Sequence, residues 1–244
     1  MNDMKRNNDN PENSKNVLDS FILIDEPIDL SIQEEYLSFS ETIDFDNVDY
    51  EEVLMGSDRL FDKHTPIELK KRILILLAHL GTPESCKILE KYLRISERNL
   101  RDWALLSLKE CRTFLESVLL QEEGGFISTG LGGKDNKLRY YFIVSSKDGL
   151  PFSETHRSTL KRGFETISDK YRSEIEEINF ESTYAVIGIL VPMDVAVGEV
   201  IEEGISECNK MSEFLFVHYY VTNVKKPTQE EISKYLEEIS RGKK

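Results

Sequence analysis

Two nine-residue stretches 31 positions apart share one frame: Leu69-Lys70-Lys71-Arg72-Ile73-Leu74-Ile75-Leu76-Leu77, and Leu100-Arg101-Asp102-Trp103-Ala104-Leu105-Leu106-Ser107-Leu108. A repeat of this length is the size of one helical unit. Such a unit cannot bury its own apolar face and has to stack on a copy of itself. The helices around the two stretches are well marked. Thr65-Pro66-Ile67-Glu68 reads as a capping box with proline at the first helical position. Leu69, Ile73, Leu76, Leu77 and Leu80 then fall on one face. Gly81 stops that helix and Thr82-Pro83 starts the next, whose inner stripe is Cys86, Leu89 and Leu93. A third helix is predicted from about Glu97 to Leu119, with Leu100, Ala104, Leu108, Cys111, Leu115 and Val118 in register and the lone Trp103 on its flank.

Helix, tight turn, helix, loop, helix is an order that resembles the HEAT repeat family, including its bilin-lyase-type short form. Leu80-Gly81-Thr82-Pro83-Glu84 and the run Leu100 to Leu108, in which a basic residue precedes a small core residue, carry the resemblance over roughly residues 65–120. The resemblance implies a helical surface for protein contacts. One departure stands out, because the second unit has no glycine and proline break after Cys111-Arg112.

At Gly124-Gly125 the pattern changes. Residues 125–137, with glycines at 130, 132 and 133, read as a strand or extended arm running into a turn. A strand (138–145), a helix (152–171), two strands (174–180, 183–191), a helix (195–211) and a strand (213–224) follow. This β-α-β-β-α-β order resembles a ferredoxin-like domain. A last amphipathic helix, 228–240, with Ile232, Tyr235, Leu236 and Ile239 in step, is expected to cover a sheet edge or a dimer contact. The expected class is therefore α+β, a short HEAT-like helical block followed by a ferredoxin-like βαββαβ domain. The expected organisation is a disordered polar tail (1–16), an acidic segment packing on the helical block (17–64), the helical domain (65–122), the α+β domain (123–226) and the final helix (227–244).

Charge is distributed unevenly. The 244-residue chain carries a net charge of -14, yet residues 1–64 hold 5 basic and 17 acidic side chains, whereas residues 65–120 hold 10 and 7. Such a balance repels a phosphate backbone at long range, which excludes nucleic acid as an expected partner. Within the chain it suggests that the acidic segment folds back on the helical block, with Lys70, Lys71, Lys87 and Arg101 as contacts. No apolar run approaches the roughly 18 residues of a membrane span, and the N-terminus has no apolar signal core. Cys86, Cys111 and Cys208 are odd in number and widely spaced, which argues against a disulfide framework or a zinc site. A cytoplasmic location follows from these three features.

No motif for chemistry survives spacing. Thr129-Gly130-Leu131-Gly132-Gly133-Lys134 places Ser128 where a phosphate loop needs glycine, and Asp135 where it needs Ser or Thr. His64, His79, His156 and His218 are not paired at metal-ligand spacing, and no serine sits in a nucleophile-elbow setting. Neither catalytic residues nor a cofactor can be named, and an enzyme would need a cleft between domains. Strand aromatics offer one alternative. Arg139 and Tyr141 with Tyr219 could make an exposed platform, and Gly188 and the glycine turn at Lys134 would allow close backbone approach. The sequence thus points to a non-enzymatic scaffold with protein partners and a possible sheet-mediated homodimer. Its alternative is a regulatory small-molecule sensor built on the α+β domain.

Overall fold

The computed structural model describes residues 21–120 and 125–242, so the tail expected over 1–16 lies outside them. The chain divides into two compact units, one containing Ser31–Ile127 and the other Leu23–Leu30 with the residues from Ser128 onward. The acidic segment is therefore not one piece. Leu23–Leu30 belong with the sheet, where Gly133 donates its N–H to the Asp25 carbonyl at 3.2 Å, and the residues from Ser31 onward belong with the helices. Among the described residues no helix is long and apolar enough to cross a membrane.

In the helical unit, α1 (Leu30–Ser40) and α2 (Tyr50–Gly56) precede α3 (Ile67–Leu80), α4 (Pro83–Ile95) and α5 (Arg98–Leu120). The turn between α3 and α4 forms as its residues dictate. Gly81 takes the left-handed conformation (φ 57°), and Thr82 and Ser85 cap each other reciprocally at 3.2 and 3.0 Å. Thr65 makes no corresponding cap. Pro66 is the N-cap of α3 and no side chain bonds there, so the expected box at Thr65 is corrected. The two repeated stretches bury the same apolar run, 73–77 and 104–108, but their cation positions differ: Lys70 and Trp103 are buried, Arg72 and Arg101 exposed. Trp103 is not on a flank. It is 1% exposed, against Tyr36 of α1 (ring centroids 5.2 Å) and Phe39 (5.7 Å), with Lys71 Nζ 4.8 Å over its ring.

Cys86 and Cys111 join α4 to α5 as a disulfide, Cα atoms 6.0 Å apart, which corrects the reading that their number and spacing argue against disulfide bonding. Each cysteine sat on an apolar stripe, and only the packing of α4 on α5 brought the stripes together. Cys208 remains a free, buried thiol, its pKa pushed up to about 12 mainly by burial. Denatured protein kept from reductant is expected to titrate one thiol per chain, and reduced protein three; three without reductant would exclude the bond.

The second unit is mixed α and β. Its sheet joins β3 (Gly133–Lys134), β4 (Lys137–Ser145), β6 (Tyr184–Pro192) and β5 (Glu174–Phe180), with β7 (Tyr220–Thr222) farther along the same side of β4 as β3; β4 pairs antiparallel with β3, β6 and β7, and β6 antiparallel with β5. The short β1 (Phe21–Leu23) and β2 (Gly125–Ile127) pair separately. Asp135 and Asn136, both at positive φ (51° and 58°), close the β3–β4 hairpin, as the glycine-rich turn predicts. Helices α6 (Glu154–Tyr171) and α7 (Val197–Asn209) cover one face, where Phe142, Ile187 and Ile189 of the sheet meet Leu160, Phe164, Val200 and Ile201. α8 (Gln229–Gly242) lies on the other face, with Ile232 and Tyr235 against Ile143 and Val186. The last helix, expected at a sheet edge or a dimer contact, thus fills the second face of the sheet instead.

Candidate nucleic-acid interface

The strand expected over 213–224 is broken, and a concavity opens at the break. Ser146 bridges Leu215, and three residues back on β4 Ile143 pairs with Tyr220, five residues on. Two residues are therefore extra on the outer strand and loop out between Phe216 and Tyr219, a wide bulge at a sheet edge. Both ends of the bulge are tied. Asn209, the last residue of α7, donates from Nδ2 to the Leu215 carbonyl and accepts the Leu215 N–H, each at 2.9 Å. Tyr235 of α8 donates its hydroxyl to the His218 carbonyl at 2.8 Å. Phe216 still donates its N–H to the Ser145 carbonyl at 2.9 Å before the chain leaves the sheet.

A cavity of about 1030 Å³ opens between the bulge and α7. Leu215 and Ile205, both buried, floor it; Phe216, Val217, His218 and Tyr219 form one wall and Glu202, Ser206, Asn209 and Lys210 the other. Phe216 and His218 meet edge-on at 5.1 Å. Lys147 enters from the loop after β4 and pairs with Glu213, which holds that carboxyl below its ordinary range through a hydrogen bond. Lys210 pairs with Glu207 at 2.5 Å. Tyr219 donates to Glu202 Oε1 at 3.2 Å, and its hydroxyl pKa is raised, first by desolvation and then by that carboxylate. The cavity therefore combines aromatic rings with two lysines whose acidic partners stand at an exposed rim.

The residues singled out from the sequence are not gathered in one place. Lys71 bonds Glu35 of α1 at 2.6 Å, which joins it to the acidic segment, and Glu68 at 3.1 Å. Lys70 is buried in α3, while Lys87 and Arg101 are exposed on α4 and α5. Lys134 is exposed in the β3–β4 hairpin. Arg139 holds Glu176 through Nε (2.6 Å) and Nη2 (2.9 Å) and donates from Nη1 to the Leu131 carbonyl at 2.9 Å. Tyr141 donates to Glu177 at 2.5 Å beneath Lys226, and its ring occupies the space over Gly188, where an added Cβ would meet Tyr141 Cε1 at 3.0 Å. Hydrogen bonds from Lys226 and Tyr141 hold the Glu177 carboxyl at about 2. The expected platform is thus consumed by internal pairs. Only Tyr219 borders the cavity, and Phe216, His218, Lys147, Lys210 and Asn209 were missed. The lone available signal was the dense aromatic run Phe214 to Tyr220, which read as a plain strand.

Among the described residues no group of three His, Cys, Asp or Glu side chains could hold a metal ion. No family model and no curated protein matches the chain. Solved structures give partial likenesses. One is assigned as a transposase of Deinococcus radiodurans R1 (TM-score 0.38, 15% identity, 42% of this chain and 90% of that chain). Another is the REP-associated tyrosine transposase bound to a REP hairpin (TM-score 0.32, 11% identity, 43% of this chain and 68% of that chain). Neither is described as a scaffold or a ligand sensor. The expectations of a scaffold, of a small-molecule sensor, and of protein partners to the exclusion of nucleic acid are corrected on that finding.

Proposed function

We propose that the bulge groove binds an unpaired or hairpin nucleic acid. Its carrying observation is the two-residue bulge, clamped by Asn209 and Tyr235, which raises Phe216, His218 and Tyr219 beside Lys147 and Lys210 over a cavity of about 1030 Å³. Base stacking on rings is worth about 1–3 kcal/mol per base and tolerates any base, because every base has a π face. The lysines supply phosphate contacts once Glu213 and Glu207 swing outward at the rim. Most of the chain's acidic excess lies in residues 1–64, but at the groove itself Glu202, Glu207 and Glu213 face Lys147 and Lys210, so binding requires these carboxylates to turn away from the ligand. The REP hairpin held by one neighbour is of the same ligand class and serves only to choose a first probe.

Fluorescence anisotropy with labelled single-stranded and hairpin oligonucleotides tests the reading. Binding is expected at low salt, with a shallow slope of about −1.4 in log K against log salt for two phosphate contacts on a single strand. Phe216→Ala with Tyr219→Ala is expected to weaken it about tenfold or more. Absence of binding at low salt, or binding indifferent to both substitutions, would overturn the reading.

Within the same proposal the helical block is HEAT-like in fold alone, supported by the Gly81–Thr82–Pro83 junction. The second unit is ferredoxin-like, supported by its strand order and by two helices on one face. A cytoplasmic location belongs to it as well, and the Cys86–Cys111 bond, of a kind rare in reducing compartments, weighs against it.

A further inference from the structure

One group of buried polar atoms lies apart from the groove, in the helical unit. Glu110 of α5 accepts the Tyr36 hydroxyl at Oε2 (2.5 Å), and its Oε1 stands 3.7 Å from His79 Nδ1 of α3. His79 Nδ1 is buried and has no hydrogen-bond partner, an orphan in a structure where buried polar atoms are otherwise expected to be paired. Rings fix its imidazole in place. Phe45 stacks on it at 3.7 Å and 19°, and Phe114 meets it edge-on at 4.7 Å. The residues that reach this cluster from outside α3 and α5 are Tyr36 of α1 and Phe45 of the short turn Phe45–Asn47, both from the acidic segment.

We propose that the Glu110–His79 pair is a proton-operated latch that docks α1 and the following turn onto the helical block. On acidification one proton from solvent adds at His79 Nδ1, which then donates to Glu110 Oε1; the net charge of the pair passes from −1 to zero. Tyr36 continues to donate to Oε2. On alkalinisation that proton returns to solvent, and the carboxylate is left buried with the Tyr36 hydroxyl against it. A largely buried carboxylate held by a single hydroxyl costs free energy, and part of that cost falls on the contact of α1 that covers it.

The surrounding charges leave the pair in control. From α1 the facing group is Tyr36, and the other ion pair of that helix, Glu35 with Lys71, involves neither histidine nor a buried carboxylate. From the turn, the charged groups are Asp44, which accepts from Asn47, and Asp46, whose charge acts on Tyr50. From α5, Arg112 is taken by Glu90 of α4. Burial moves the Glu110 carboxyl above its ordinary range, against the opposing effects of Tyr36 and His79. The sign agrees: a carboxyl raised in the folded state contributes stability below its ordinary value and loses it as pH rises through the folded one.

Trp103, the single tryptophan, reports the docking because Tyr36 and Phe39 of α1 pack on it. The experiment follows Trp103 emission and amide exchange of residues 30–40, corrected for intrinsic pH dependence, in the full chain between pH 5 and 8. Exchange is expected to quicken about fivefold or more toward pH 8 in the unsubstituted chain. Glu110→Gln, which keeps an acceptor for Tyr36, and His79→Gln are each expected to flatten that dependence. A flat profile in the unsubstituted chain, or an undiminished slope in both variants, would overturn the latch. Tyr36→Phe guards against misfolding of either variant, since it keeps the pair; it should exchange faster throughout with the slope retained, and loss of its slope would equally overturn the proposal.

Discussion

Trp103→Ala is expected to destabilise the helical unit by about 3–5 kcal/mol, the usual cost of emptying a large aromatic site in a core. The indole is 1% exposed and is where α5 receives α1, through Tyr36 and Phe39, with Lys71 over the ring. Truncation removes the apolar area and also the platform for the Lys71 ammonium, so α1 should loosen before the remaining helices do. Urea unfolding followed by circular dichroism, with amide exchange of residues 30–40, checks both statements. A loss under about 1 kcal/mol would mean that the site collapses around the gap, or that α1 is not seated on it.

Gly204→Val is expected to cost about 3 kcal/mol or more in the second unit. A Cβ at Gly204 of α7 would lie 2.2 Å from Phe164 Cε1 of α6, and Phe164 is completely buried with its ring against Phe142 at 5.3 Å, so it has nowhere to move. Gly163 of α6 is constrained reciprocally, because its Cβ would meet Cys208 Sγ of α7 at 2.5 Å. The two helices approach so closely that each needs a glycine where the other presents a side chain. Combining Gly204→Val with Phe164→Leu should recover part of the loss, and the recovered fraction measures the coupling. Full additivity of the two losses would show that the clash lies elsewhere.

Much of the architecture could be read from the chain because its signals are local. Gly81, Thr82 and Pro83 act through backbone conformation and capping within four residues, and they end and restart helices where expected. β5 runs over the residues expected, and the other long elements of the second unit fall within two residues of expectation, since apolar period and turn residues specify them. The candidate groove could not be read in this way. Phe214 to Tyr220 alternates like an uninterrupted strand, and nothing in it announces a bulge. The bulge exists because Asn209, at the end of another helix, and Tyr235, from the last one, hold its two ends.

Charge reading met the same boundary. Lysines and arginines could be counted, and Lys71 does meet Glu35, but Arg139 and Tyr141 turned inward to Glu176 and Glu177 of β5. Whether a side chain is available depends on which strand lies beside it, and the antiparallel register of β4, β6 and β5 sets that.

The sequence by itself determined the elements and their order, because propensity, capping and period are properties of neighbouring residues. Tertiary structure alone decided that Trp103 is core, that Cys86 meets Cys111, that α8 fills the second face of the sheet, and that two residues leave its edge to open a groove. Each of these is a meeting of residues distant along the chain. Burial and pairing energies, summed over the whole fold, choose such meetings, and no local pattern encodes them.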